Sequence, residues 1–165
     1  MLTTSAQVLT VLAVLTNAIV YGTDVAATLI FRPVYRKLDD ATMTVSAGWG
    51  HYYGDRRMPF AGAGGVISTV LAAVVAVVAG AAGAAVAAGI ALLALLSWLG
   101  LYARIAKPIN TAQTQAAQTG VIPADARALQ DKWESILGYR VGLQALALAA
   151  LCTTLVLKSA VAQAD

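Results

Sequence analysis

The uncharged, apolar run from Phe60 to Tyr102 constrains this chain more than any other feature. As one helix rising 1.5 Å per residue it would be about 60 Å long, twice the roughly 30 Å of hydrocarbon in a bilayer. It must fold back on itself, and Gly80-Ala-Ala-Gly83 is the natural hairpin. That predicts spans at about 60–79 and 84–103. Apolar segments at about 8–31, which Arg32-Pro33 should end, and at about 137–157 bring the number of spans to four. Charged residues make up only 12% of the chain. A soluble domain carries about a quarter, so there is too little charge here to cover a water-facing surface. The expected fold is a single all-α transmembrane domain, a four-helix bundle.

Charge placement predicts its orientation. Arg32, Arg36, Lys37, Arg56 and Arg57 lie between spans one and two. Arg104, Lys107, Arg127, Lys132 and Arg140 lie between span three and the start of span four. Only Lys158 falls elsewhere. The positive-inside rule makes these two basic loops cytoplasmic, with both termini outside, in a multi-pass protein of the cell (inner or plasma) membrane. Basic residues that flank apolar segments serve orientation, so the net charge of +3 points to no nucleic acid partner. Met1 to Ala6 has no Lys or Arg, so the first segment reads as a retained span rather than a cleaved signal. The single Cys152 excludes an internal disulfide and a cysteine zinc site.

The loops carry signals of their own. Pro123 suits the first position of a helix, and Leu129, Trp133 and Ile136 recur at helical spacing. An amphipathic helix over about 123–136, running straight into span four, is predicted. Pro108-Ile-Asn110 reads as a turn, and Thr42 to Gly54 as an interfacial segment or a helix leading into span two. Ala- and Gly-rich spans allow close helix packing and permit a homo-oligomer.

Chemistry is carried by few residues. Asn17, Tyr21, Asp24 and Thr28 fall at i, i+4, i+7 and i+11, which is one helical face. By helix rise Asp24 lies roughly 12 Å inside the boundary marked by Arg32. A carboxylate there costs several kcal/mol unless paired or protonated, on the order given for intramembrane charges. It reads either as a proton-handling group in a cavity or as half of a buried ion pair. Arg140 is the natural partner, with Gln144 four residues after it and Trp133 seven before. His51, the only histidine, stands in Trp49-Gly-His-Tyr-Tyr53. It suits a general base, a haem axial ligand, a metal ligand, or an interfacial side chain without chemistry. With one His and no usable Cys, a non-haem metal site would need carboxylates such as Asp24, Asp55 or Glu134. Walker, dinucleotide, GxSxG and HExxH signatures are absent from the sequence, so soluble-type ATP or NAD chemistry is not supported.

The run Arg104, Lys107-Pro-Ile-Asn110, a polar loop, Ala126-Arg-Ala-Leu-Gln, Lys132-Trp133 and then Arg140 resembles the anthrone oxygenase-like family of small four-helix membrane proteins. Span one followed by Gly22, Pro33 and a basic loop fits the same pattern. Where members carry a His between Trp and Arg, this chain has Glu134 to Tyr139 without one. The resemblance implies oxidation of an activated aromatic carbon by O₂, and Asn110, Trp133 and Arg140 are the residues that match.

The expected function is a membrane-embedded oxygenase- or oxidase-like enzyme. Its substrate is small, lipophilic and aromatic, and enters from the lipid bilayer to a pocket between spans one and four. Asp24 or His51 is the base; Asn110 and Arg140 stabilise developing charge; Asn17, Tyr21, Tyr52, Trp133 and Gln144 bind the substrate. No cofactor is required on this reading. The alternatives are a non-catalytic membrane subunit or scaffold, and a redox protein that binds haem or a single iron or copper ion at His51.

Overall fold

A computed structural model describes residues 2–161, with side chains described for residues 4–157. The chain is all-helical, with no strand among the described residues. Four helical stretches are long and apolar enough to cross a membrane: Thr4–Tyr35, Asp40–Val78, Ala82–Thr119 and Ala126–Leu157. The elements are α1 (Leu2–Ala26), a π-helical turn (Ala27–Phe31), α2 (Arg32–Tyr35), α3 (Asp40–Val78), α4 (Ala82–Leu101), a second π-turn (Tyr102–Ala106), α5 (Lys107–Thr119), α6 (Ala126–Ser135) and α7 (Leu137–Val161). The side chain of Lys158 and both chain ends, which the sequence reading sets outside the cytoplasm, lie outside the described residues.

Helix ends follow local chemistry. Gly80 adopts φ +66, and its N–H bonds Val77 O while that of Ala81 bonds Ala76 O. This Schellman arrangement ends α3 at the expected hairpin, and glycine takes the left-handed backbone without a Cβ penalty. Gly120, at φ +74, closes α5 with a single bond to Ala116 O. Asp39 starts α3 by accepting the N–H and hydroxyl of Thr42 at 2.9 and 2.6 Å.

Three sequence expectations are corrected. Arg32-Pro33 does not end the first helix, and Pro108-Ile-Asn110 is no turn but the start of α5. Each proline follows a π-turn, in which the N–H of Arg32 reaches Ala27 O and that of Lys107 reaches Tyr102 O. The wider turn relieves the clash between the proline ring and the preceding turn, so the chain stays helical. The amphipathic helix begins at Ala126 rather than Pro123, and Ile136, at φ −95 and ψ −5, interrupts it one residue before α7.

The chain groups into two compact units. One comprises Met1–Tyr21, Phe60–Ser97 and Gly142–Asp165. Its only charged side chains are Lys158 and Asp165. Its core is small and aliphatic, with Ala13, Ala91, Ala94, Leu95, Ala147 and Leu151 packed together. Gly65 lets Asn17 lie against the α3 backbone, for an added Cβ would meet Asn17 Oδ1 at 2.5 Å. The outer surface carries Leu15, Phe60, Ile67, Val77 and Leu93, all more than half exposed. Such a surface is the reverse of a water-soluble one and marks an apolar environment.

The other unit comprises Gly22–Pro59 and Trp98–Val141, and holds every remaining charged residue of the chain. Met43 and Leu137 are fully buried. Gly48 allows α3 and α5 to touch: a Cβ there would collide with the Gln113 carbonyl and Ala117.

Candidate functional site

The charged unit is built around a chain of polar contacts. Asp24 is buried on α1, where its Oδ1 takes Arg140 Nη2 at 2.6 Å and its Oδ2 takes Trp98 Nε1 at 2.8 Å. The Arg140 guanidinium lies between two indoles, 5.2 Å from the Trp98 ring and 5.3 Å from that of Trp133. Both aromatic faces offer negative potential to the cation. The sequence expectation of an Asp24–Arg140 pair therefore has its geometry. Asp24 is 1% and Arg140 7% exposed. Both carboxylate oxygens of Asp24 are engaged by donors.

A second carboxylate continues the chain. Asp55 Oδ1 accepts both Tyr102 Oη and Asn110 Nδ2 at 2.9 Å. Asn110 Oδ1 in turn accepts Trp133 Nε1, also at 2.9 Å. Tyr102 stacks on Trp98, with ring planes 1° apart and centroids 5.8 Å apart. The π-turn makes this convergence possible. In a regular helix Tyr102 and Asn110, eight residues apart, would be rotated by about 80°; one extra residue in the turn brings them to within about 20°. Both then address one carboxylate.

His51 stands one turn before Asp55 on α3, with its ring 5.3 Å from that of Trp133. His51 and Asp55 open onto a cavity of about 260 Å³ between α3 and α5. Tyr52 and Arg56 complete the α3 wall, and Thr111, Thr114, Gln115 and Gln118 form the α5 wall.

A separate cluster ties the connecting segments together. Glu134, buried on α6, faces Arg32 Nε at 3.1 Å and Arg36 Nε at 3.5 Å, and accepts Gln130 Nε2 at 3.2 Å. Gln130 Oε1 accepts Gln113 Nε2 at 2.9 Å. Arg127 donates to the Tyr35 and Leu38 carbonyls and pairs with Asp40. Among the described residues no three His, Cys, Asp or Glu side chains gather as a metal site would need.

Of the residues singled out in the sequence, Asp24, Arg140, Trp133, Asn110 and His51 form one continuous network, and Tyr52 lines the adjoining cavity. Asn17, Tyr21 and Gln144 belong to the apolar unit. Asn17 spends its amide on the Ala13 carbonyl, Tyr21 is half-buried, and Gln144 is buried with its Oε1 unpartnered among the described residues. Sequence reasoning missed Trp98, Tyr102 and the central place of Asp55. A visible signal existed for two of them: Trp98 and Tyr102 are one turn apart at the polar end of an otherwise Ala/Leu-rich helix. No protein-family model matches the sequence, and no curated protein or solved structure matches it.

Proposed function

We propose that this chain is a multi-pass membrane protein whose charged unit oxidises a small aromatic compound with O₂. The apolar segments occupy the hydrocarbon, and the segments bearing ten of the eleven Lys and Arg residues face the cytoplasm. On this reading the resemblance to the anthrone oxygenase-like family reflects a shared reaction class.

The observation that carries the reading is the cavity bordered by His51, with the Asp55 carboxylate on the same helical face and an indole ring beside it. On this reading the His51 imidazole takes a proton from an activated methylene between aromatic rings. The resulting carbanion passes one electron to O₂; recombination gives a peroxide, and loss of water leaves a ketone. One methylene substrate and one O₂ thus become one ketone and one water, with no further reductant. His51 is the base, and Tyr52 lines the cavity beside it. Asn110 and Tyr102 hold Asp55 behind the histidine. Asp24 and Arg140 fix Trp98 and Trp133, and so act as positioning residues.

The test is oxygen uptake by the purified chain with hydroxylated anthrones and related activated methylenes. Uptake should match ketone formation one to one, and His51→Gln should lower kcat by about 10²-fold or more, the usual weight of a general base. No uptake above the uncatalysed rate, or full activity in His51→Gln, would refute the proposal.

A further inference from the structure

We infer that the cavity between α3 and α5 takes an aromatic ligand bearing an acidic group, a carboxylate or phenolate, which Arg56 binds. The inference rests on the reading of this cavity as a ligand site. Arg56 lines the cavity together with His51, Tyr52 and Asp55. Its Cζ lies over the Tyr52 ring, 3.6 Å from the centroid, and Nη1 donates to the Tyr52 carbonyl at 3.0 Å. Tyr52 is one helical turn earlier, so its ring and carbonyl together hold the guanidinium. Among the described residues Arg56 makes this one hydrogen bond and no ion pair. A guanidinium has five N–H donors in a planar fork suited to a carboxylate or a phenolate.

Arg32, Arg36, Arg127 and Arg140 each face a protein carboxylate, whereas Arg56 is the one Lys or Arg among the residues that line the cavity. Arg56 is held against Tyr52 and, among the described residues, has no carboxylate within ion-pair distance, so its guanidinium is open to an anion at the cavity wall. Asp55 forms no ion pair with it; its Oδ1 accepts Tyr102 and Asn110 instead. The acidic end of the ligand therefore lies towards Arg56. The hydroxyls of Thr111 and Thr114 are spent on the Lys107 and Gly48 carbonyls. Arg56 is thus the donor that distinguishes an acid from a neutral aromatic of equal size. Gln115 and Gln118, also on that wall, carry no charge and favour neither.

The experiment is calorimetric titration of the full chain in lipid nanodiscs with 2-naphthoate and, separately, with 2-naphthylmethanol. Wild type should bind the acid at least tenfold more tightly than the alcohol. Arg56→Gln should bring the two within twofold, and Arg56→Lys should restore part of the difference; Arg56 is exposed, so neither change touches the core. Equal binding of acid and alcohol by wild type, or an unchanged preference in Arg56→Gln, overturns the inference while leaving the cavity as a ligand site. Binding of neither probe overturns both. A preference for the acid without oxygen uptake on any anthrone upholds the inference and removes the oxygenase reading.

Discussion

Replacing Asp24 by Asn keeps the shape of the side chain and removes its charge from a site where it is 2% exposed. The Arg140 guanidinium, 8% exposed, would then face an amide at the position where it now meets a carboxylate at 2.6 Å. Trp98 Nε1 would lose a charged acceptor at 2.8 Å. Breaking one partner of a buried pair costs about 3–5 kcal/mol, because the remaining charge stays buried without compensation. In a chain of this size about 1 kcal/mol moves a melting midpoint by roughly 2–4 °C, so a loss of roughly 6–20 °C is expected. Arg140→Gln should cost a similar amount. The double variant should cost less than the sum by at least about 2 kcal/mol, since no charge is then stranded. Unfolding in mixed micelles of fixed composition, followed by tryptophan fluorescence, reads the effect directly: Trp98 and Trp133 flank the guanidinium. Strictly additive losses would refute the coupling and leave the two side chains as independent neighbours.

Gly48→Val forces a side chain into the Gln113 carbonyl and Ala117, and should destabilise by about 1–3 kcal/mol or prevent folding, whereas Gly50→Ala, two residues away in open space, should be neutral or stabilising; thermal melts of both variants decide. The Thr42 hydroxyl and N–H hold the Asp39 carboxyl below its usual range. Its contribution should be present above about pH 4, the unfolded value, and disappear as pH falls through the lowered folded value, so wild type and Asp39→Ala should melt alike in strong acid and differ at neutral pH.

The four apolar helical stretches were legible in the sequence because lipid-compatible composition is a local property: a segment that crosses hydrocarbon must be apolar throughout its own length. The hairpin at Gly80 was legible for a similar reason, since left-handed backbone and uninterrupted apolar length are both written locally. The Asp24–Arg140 pairing could be reasoned from cost alone, because a carboxylate and a guanidinium in apolar surroundings need each other. Proline misled where a π-turn absorbed it. At Arg32-Pro33 and Lys107-Pro108 the chain kept its helix by widening one turn, which no residue type announces.

That widening is also why the rest of the site stayed hidden. Regular periodicity separates Tyr102 from Asn110, and only the extra residue in the turn brings both onto Asp55. The cavity depends on the approach of α3 to α5, set by the missing Cβ at Gly48, a contact between residues far apart in the chain. Composition and spacing thus determined that this chain makes long apolar helices and which charges needed partners. Tertiary structure decided which partners they found, because helix rotation and close approach depend on one-residue changes in register that a 3.6-residue pattern averages away.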